Sequence, residues 1–203
     1  MKLFAVGRNY AEHARELNNP VPADPVIFMK PETAILKDNK PFFIPDFSSE
    51  IHHEIEVVVR ICKGGKSIRE EFAHRYYDMV TVGVDFTARD LQSRLKSNGF
   101  PWEISKGFDG SAPIGTFVPV EQFSDLQRLD FGLKLNGNWV QEGNTAEMIF
   151  GIDKLIAWIS KFFTLQMGDL LFTGTPAGVG PVAQGDRLQG FLDGNLLLDF
   201  EVR

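Results

Sequence analysis

Apolar and polar residues alternate over short stretches in much of the chain, a pattern typical of β-strands. Residues 55–61 are mainly β-branched and apolar, and residues 80–84 form a second apolar run that predicts a nearly buried strand. Two turn signals lie between strand-like segments: Asn136-Gly137 between 133–135 and 139–141, and Asp193-Gly194-Asn195 between 188–192 and 196–202. Both predict β-hairpins, because Asn-Gly and Asp-Gly tolerate the positive φ angles of tight hairpin turns.

Three segments have the pattern of helices. Ser67-Ile68-Arg69-Glu70 matches a capping box and predicts a helix that runs to about Tyr77. Thr87 is expected to start a second helix, which Asn98-Gly99 closes. A third is predicted by an apolar stripe of Ile152, Leu155, Ile156 and Ile159. Strands do not alternate regularly with helices, so we expect an α+β, β-rich fold with a few peripheral helices rather than a doubly wound sheet.

Composition narrows the class of protein. The 203 residues suffice for one sizeable core, and we expect a single domain over residues 1–203. A net charge of −6 argues against nucleic acid as the main partner. The single cysteine, Cys62, excludes an internal disulfide and favours a reducing compartment, which we take to be the cytoplasm. We expect no membrane association, because no segment has the roughly 20 apolar residues of a span and the N-terminus lacks the pattern of a signal peptide.

Glu54 and Glu56 are the most informative pair of polar residues. Side chains two apart on a strand point to the same side, so these carboxylates project together while Ile55 and Val57 project the other way. Adjacent carboxylates repel each other and are unfavourable to bury, and a bound cation removes that penalty. An exposed edge strand with a solvated acidic face explains the same alternation.

Asp85 adds a third carboxylate at the end of the predicted strand 80–84. Strand ends are rigid and open onto loops, so they are good positions for chemistry. The alternative is a satisfied polar residue near a helix N-terminus. Three carboxylates without a cysteine cluster favour a hard cation, Mg²⁺ or Mn²⁺. Ca²⁺ in a structural site and Zn²⁺, with His52 or His53 nearby in sequence, are the alternatives.

Several motifs together resemble the fumarylacetoacetate hydrolase family, and the stretch 7–13 resembles its short acylpyruvase and oxaloacetate decarboxylase branch. The motifs are His52-His53-Glu54-Ile55-Glu56, residues 82–92 (VGVDFTARDLQ), Lys106-Gly107-Phe108-Asp109 and residues 173–181 (TGTPAGVGP). The resemblance implies a mixed β-sandwich roll and a homodimer. It also implies that Glu54, Glu56 and Asp85 bind Mg²⁺ or Mn²⁺, which a small anionic 2-oxo acid chelates.

The resemblance also assigns catalytic roles. His13 and Glu16, three residues apart, match a His–Glu pair in which the carboxylate orients the imidazole to accept a proton from water. Lys106 matches a lysine that faces the metal site and stabilises enolate charge. An ordinary surface ion pair is the alternative for His13 and Glu16, and a solvated lysine is the alternative for Lys106.

The remaining candidates are substrate contacts. Arg89 and Gln92, three apart on a predicted helix, could reach substrate oxygens, although Arg89 could instead pair with Asp90 or with a metal carboxylate. Thr175 lies in a glycine-rich loop that could bind a carboxylate or be a plain turn. Family positions near the site match Tyr10, Arg8 and Lys30.

With these residues in the assigned roles, the resemblance implies an enzyme that cleaves the C3–C4 bond of short 2-oxo acids through a metal-stabilised pyruvate enolate, by acylpyruvate hydrolysis or oxaloacetate decarboxylation. The Pro-rich segment after Glu16, residues 18–25, is expected to close over the site as a lid. One alternative is an isomerase or hydratase acting on hydroxymuconate-type dienoic acids. Another is a β-roll that binds a metal or a carboxylic acid without catalysis.

Overall fold

A computed structural model describes residues 1–16 and 20–203 of the protein. Strands dominate these residues: β1 (Leu3–Gly7), β2 (Val26–Lys30), β3 (Ile35–Leu36), β4 (Ile51–His53), β5 (Ile55–Ile61), β6 (Tyr77–Val84), β7 (Thr87–Ala88), β8 (Ala112–Pro113), β9 (Val118–Pro119), β10 (Asp130–Leu135), β11 (Asn138–Asn144), β12 (Leu170–Phe172), β13 (Gly180–Pro181), β14 (Arg187–Leu192) and β15 (Asn195–Glu201). The α-helices are α1 (Ala11–Glu16), α2 (Glu70–Ala73), α3 (Arg89–Ser97), α4 (Glu103–Lys106) and α5 (Ile152–Phe162). Single 3₁₀ turns occupy Glu32–Ala34, Val120–Gln122, Leu126–Arg128 and Thr145–Glu147.

The main sheet has the strand order β2-β1-β12-β5-β6-β9. Strands β1 and β12 run parallel, and the other neighbours run antiparallel. Strand β5 is covered on both faces, because Val57 and Val59 belong to one apolar cluster and Val58 to another. This two-sided burial explains why Val57, Val58 and Val59 are all apolar rather than alternating with polar residues.

A second sheet, in the order β11-β10-β14-β15, packs on one face of the main sheet. The shared core includes Leu133 and Leu188 from this sheet and Val80 and Val82 from the main one. A Cβ atom on Gly190 of β14 would lie 3.0 Å from the Val82 side chain, so this glycine allows the two sheets to approach closely. Smaller sheets, β13-β4-β7 and β3-β8, complete a β-rich sandwich roll, which confirms the predicted fold class.

Both predicted hairpins are confirmed. Asn136 and Gly137 have φ angles of 51° and 83°, and Asp193 and Gly194 have 47° and 77°. Two successive positive φ angles are the geometry of a type I′ turn, which matches the right-handed twist of the paired strands.

Of the predicted helices, only α5 forms as the pattern indicates, with its apolar stripe buried. The prediction of a helix from Ser67 to Tyr77 is wrong. Ser67 has a φ of 51°, which is not N-cap geometry, α2 covers only Glu70–Ala73, and Tyr77 already pairs with Ile61 in the main sheet. Tertiary strand pairing has overridden a local capping signal.

The second helix begins at Arg89, not at Thr87. Thr87 and Ala88 pair with β4 instead, and the Thr87 hydroxyl lies 3.3 Å from the Asp85 carbonyl oxygen. Its predicted end is confirmed, because Gly99 has a φ of 69° directly after Asn98. No α-helix in the described part of the chain is long and apolar enough to span a membrane.

Candidate active site

Three buried carboxylates meet where β5 begins and β6 ends. Glu54 lies between β4 and β5, Glu56 is the second residue of β5, and Asp85 directly follows β6. Antiparallel pairing places Glu56 opposite Gly83, and the Asp85 amide donates to the Glu54 carbonyl at 2.8 Å. One oxygen from each carboxylate lies within 4.8 Å of the others. Strand register therefore gathers the three residues, which we call the acidic triad.

Two members of the acidic triad are paired with buried cations. Lys106 Nζ donates to Glu54 Oε2 at 2.7 Å and to Asp85 Oδ2 at 2.8 Å, and Arg89 also donates to Glu54. Lys30 Nζ lies 2.6 Å from Asp85 Oδ1. Within residues 1–16 and 20–203, Glu56 has no ion-pair partner and accepts the Gly174 amide at 2.7 Å.

The difference in pairing shifts the pKa values of Glu54 and Glu56 in opposite directions. Burial, and then the Asp85 and Glu54 carboxylates, raise the pKa of Glu56 well above its usual range. Burial acts in the same direction on Glu54, but Lys106 and Arg89 outweigh it and hold the pKa of Glu54 well below that range. For Lys106, the carboxylates of Asp85 and Glu54 outweigh burial and raise its pKa. The acidic triad is thus neutralised at Glu54 and Asp85 but not at Glu56.

The expectation that a cation alone allows three carboxylates to coexist is therefore too strong, because three basic side chains already offset most of their repulsion. The donor set nevertheless fits a hard divalent cation. It consists of carboxylate oxygens, and Glu56 is a buried acid without a cationic partner among the described residues. The acidic triad could hold such an ion.

Neither neighbouring histidine belongs to the acidic triad, which removes the basis for zinc. His53 Nδ1 lies 2.9 Å from Gln141 Oε1, and His52 Nε2 lies 2.9 Å from Glu50 Oε1. Burial is the main cause that lowers the pKa of both rings, so both are neutral at pH 7. The sequence places them next to Glu54, but the strand directs them elsewhere.

His13 and Glu16 form a pair beside the acidic triad. His13 is buried and lines the same cleft as Glu54, Glu56 and Asp85, so it is not part of an ordinary surface ion pair. Its Nδ1 lies 3.1 Å from Glu16 Oε2, while Glu16 Oε1 accepts the Gly178 amide at 3.1 Å. Glu16 thus joins α1 to the glycine-rich loop. The proposed lid begins at Asn18 and Asn19, which lie outside the described residues.

The cleft above the acidic triad has a cavity volume of about 30 Å³. Its other walls are Val6, Gly7, Arg8, Phe28, Arg89, Gln92, Lys96, Trp102, Lys106 and Thr175. Arg89 pairs with Glu54 rather than with Asp90, and its Nη1 donates to Gln92 Oε1 at 2.8 Å. Arg89, Gln92 and Thr175 therefore border the same cleft as the acidic triad.

Two predicted substrate contacts lie behind the cleft instead of in it. Lys30 is fully buried, and its Nζ is held by Asp85 and by the Ser111 carbonyl at 2.8 Å. Tyr10 is also buried and borders a separate cavity near Glu147. Neither side chain lines the cleft, and their roles as substrate contacts stay predictions.

Gln141, on β11, is a buried residue that the sequence patterns did not single out. Its Oε1 accepts the Ile55 amide at 3.0 Å, and its Nε2 donates to Thr175 Oγ1 at 2.9 Å and to the Pro176 carbonyl at 3.0 Å. One amide group thus ties the strand of Glu54 and Glu56 to the loop of Thr175. The available signal was a polar residue opposite Leu133, inside a hairpin.

Replacing Gln141 by Leu should therefore disturb both parts of the site. Several buried polar groups lose their partners, and we expect a loss of about 2–4 kcal/mol in the free energy of unfolding. Activity should also fall by about 10–100-fold, as is usual for groups that orient ligands. Thermal unfolding and steady-state kinetics measure the two effects, with exposed Gln122→Leu as the control. Unchanged activity in a folded Gln141→Leu protein would contradict the positioning role.

Fold and site together define a class of protein: a β-rich domain whose main sheet carries a buried carboxylate triad with cationic partners at the base of an open cleft. A family model described as fumarylacetoacetate (FAA) hydrolase C-terminal matches residues 2–197. The chain belongs to the fumarylacetoacetate hydrolase family, as its motifs predict.

Similar proteins carry enzyme names. "Oxaloacetate tautomerase FAHD1, mitochondrial" of Bos taurus is 41% identical over 98% of this chain and 90% of its own length. "Oxaloacetate decarboxylase, mitochondrial" of Dictyostelium discoideum is 44% identical over 91% of this chain and 85% of its own. A crystal structure of fumarylpyruvate hydrolase from Pseudomonas aeruginosa, in complex with Mn²⁺ and pyruvate, has a TM-score of 0.94 and 39% identity, covering 100% of this chain and 89% of that one.

Proposed function

We propose that the protein is a divalent-metal-dependent enzyme that cleaves the C3–C4 bond of short 2-oxo acids. The observation that carries this proposal is one cleft lined by both the acidic triad and the buried His13, whose Nδ1 is paired with Glu16. In the described residues Glu56 has no cationic partner. The names of the relatives support it, since oxaloacetate and fumarylpyruvate are both 2-oxo acids.

Glu54, Glu56 and Asp85 would hold the metal, Mg²⁺ or Mn²⁺, and the Mn²⁺ of the Pseudomonas aeruginosa structure supports this choice. When bound, a divalent cation orients the C1 carboxylate and C2 oxygen of the substrate and stabilises negative charge that develops on that oxygen. Lys106 adds a fixed positive charge next to Glu54 and Asp85. Arg89 keeps Glu54 ionised and in place.

The His13–Glu16 pair would supply the base. The tautomer with its proton on Nδ1 would donate to Glu16, and Nε2 would then accept a proton from water. Water then gives a proton to His13 and adds to the C4 carbonyl of an acylpyruvate. The C3–C4 bond breaks, the C4 part leaves as a carboxylic acid, and the electron pair of the bond passes into the pyruvate enolate. Return of the proton from His13 to C3 of the enolate would give pyruvate. Oxaloacetate loses CO₂ from the same bond without water, and tautomerisation moves a proton between C3 and the C2 oxygen.

A second candidate is isomerisation of a hydroxymuconate-type dienoic acid. A 5-carboxymethyl-2-hydroxymuconate delta-isomerase from Mycobacterium smegmatis supports it, with a TM-score of 0.87 and 35% identity over 99% of this chain. Negative charge develops on the C2 oxygen in all these reactions, so a cation held by the acidic triad would serve each of them equally well.

A substrate panel tests the proposal. Purified protein is assayed with acetylpyruvate, fumarylpyruvate, oxaloacetate and a 2-hydroxydienedioate, with EDTA and then with added Mg²⁺ or Mn²⁺. We expect turnover of a 2-oxo acid that EDTA abolishes and metal restores. Turnover of the dienedioate alone would favour the isomerase, and oxalate binding without turnover of any substrate would favour a non-catalytic binding protein.

We also propose that the protein is a homodimer and that it lies in the cytoplasm. A homodimer fits the apolar groove lined by Phe47 and Ile104, which are 52% and 63% exposed. Analytical ultracentrifugation checks it. A cytoplasmic location fits the single cysteine, and imaging of the tagged protein in its host checks that.

A further inference from the structure

Two cations in the cleft do not take part in neutralising the acidic triad. Lys30, Lys106 and Arg89 are paired with Glu54 and Asp85, whereas Arg8 and Lys96 have no ion-pair partner among residues 1–16 and 20–203. Both side chains line the cleft. An unpaired cation at the wall of a cleft is complementary to an anion in that cleft.

Arg8 is placed by the end of a central strand. Strand β1 runs parallel to β12, with Ala5 beside Phe172, so Arg8 follows β1 at the sheet edge where Thr175 follows β12. Its Nε is buried without a hydrogen-bond partner in the described structure, and its backbone has a φ of 61°. A buried guanidinium nitrogen without an acceptor is unfavourable, which points to a missing ligand atom.

Lys96 is placed by helix α3. Arg89, Gln92 and Lys96 are spaced i, i+3 and i+7, which puts them on one face of the helix, and all three line the cleft. Lys96 Nζ lies 4.9 Å from the centre of the Trp102 ring, and that ring lies 3.7 Å from where a Cβ atom on Gly7 would be. Trp102 therefore lies between Lys96 and the residue that precedes Arg8.

The proximity of these cations is electrostatically unfavourable in the absence of a ligand. Burial, and then repulsion from Arg8, Arg89 and Lys106, lower the pKa of Lys96 to about 8. An anion between Arg8 and Lys96 would relieve this repulsion and satisfy the Arg8 Nε at once.

We propose that Arg8 and Lys96 form a distal anion subsite, which binds the second carboxylate of a 2-oxo dicarboxylic acid. This inference rests on the proposed function, because it assumes that the C1 carboxylate lies at the acidic triad. It narrows the preferred substrates to 2-oxo acids with a negative charge at the far end of the chain, over neutral acylpyruvates.

A binding experiment tests the subsite without relying on turnover. Calorimetry on the Mg²⁺-loaded protein gives the Kd of oxalate, which probes the acidic triad, and of 2-oxoglutarate and 2-oxopentanoate, which differ in the distal carboxylate. We expect 2-oxoglutarate to bind at least about tenfold more tightly than 2-oxopentanoate, since charge-assisted hydrogen bonds contribute this much. Lys96→Met and Arg8→Asn should each reduce that preference by about tenfold. Oxalate affinity should change by less than about threefold, because oxalate occupies the acidic triad and has no carboxylate that reaches the distal subsite.

Arg94→Met is the matched control, because Arg94 lies on the same helix but is exposed and does not line the cleft. Lys96→Arg and Arg8→Lys should restore the preference, and thermal unfolding shows which variants are folded. Equal affinity of the wild type for both 2-oxo acids, with oxalate still bound, would overturn the subsite and leave the proposed function standing. If neither oxalate nor either 2-oxo acid binds, both the subsite and the proposed function are overturned.

Discussion

Glu56→Gln is expected to make the metal-free protein more stable while it removes metal-dependent activity by about a thousandfold or more, since a cation contributes several kcal/mol to the transition state. Glu56 is 2% exposed and, in the described residues, has no cationic partner. Gln has the same shape, carries no charge and keeps an oxygen for the Gly174 amide. We expect a gain of about 1–3 kcal/mol, or about 2–4 °C in Tm for each kcal/mol.

The stability gained by Glu56→Gln should increase with pH. Burial, with Asp85 and Glu54, raises the pKa of Glu56 in the folded protein above that of the unfolded chain. The folded state therefore holds a proton that the unfolded state releases, and the wild type loses stability as pH rises above the usual carboxyl range. The difference in the free energy of unfolding between Glu56→Gln and the wild type should disappear as pH falls below that range, because Glu56 is then protonated in both the folded and the unfolded wild type.

Thermal unfolding with EDTA and with excess Mg²⁺ measures both effects, together with activity on the best 2-oxo acid. The wild type should gain stability with Mg²⁺, because a ligand that binds only the folded state stabilises it, and Glu56→Gln should not. Exposed Glu121→Gln should behave like the wild type in every condition. A Glu56→Gln protein that keeps its Mg²⁺-induced rise in Tm would show that the acidic triad is not the metal site.

His13→Ala should separate two reactions that share an enolate. Acylpyruvate hydrolysis needs a base for the attacking water, so its kcat should fall by about 10²–10⁴-fold. Oxaloacetate decarboxylation needs no water at C4, so its kcat should fall by less than about tenfold. His13 is buried beside the acidic triad, and Glu16, anchored by the Gly178 amide, holds its Nδ1 at 3.1 Å.

Steady-state kinetics on acetylpyruvate and oxaloacetate measure the separation. Glu16→Gln is the companion variant: it keeps a hydrogen-bond acceptor for Nδ1 but loses the charge, so hydrolysis should fall by about tenfold only. His74→Ala, an exposed histidine far along the chain from this pair, should leave both rates unchanged. Equal losses in both reactions for His13→Ala would refute a specific role in activating water.

Local sequence determined much of the framework. The Asn136-Gly137 and Asp193-Gly194 turns, helix α5 and the apolar strand β5 all form as their patterns predict, because turn angles and side-chain periodicity depend on neighbours within a few residues. The grouping of Glu54 and Glu56 belongs here too, since a spacing of two on an extended chain suffices to bring them to one side.

Only the tertiary structure decided how the site is charged. Lys30, Arg89 and Lys106 come from β2, α3 and α4 to pair with Glu54 and Asp85, and no spacing in the sequence shows that Glu56 is left out. The same holds for the unpaired Arg8 and Lys96, for Gln141, and for the loss of the helix at Ser67. Contacts between residues so far apart depend on strand register and sheet packing, which many weak interactions settle together and no short segment encodes.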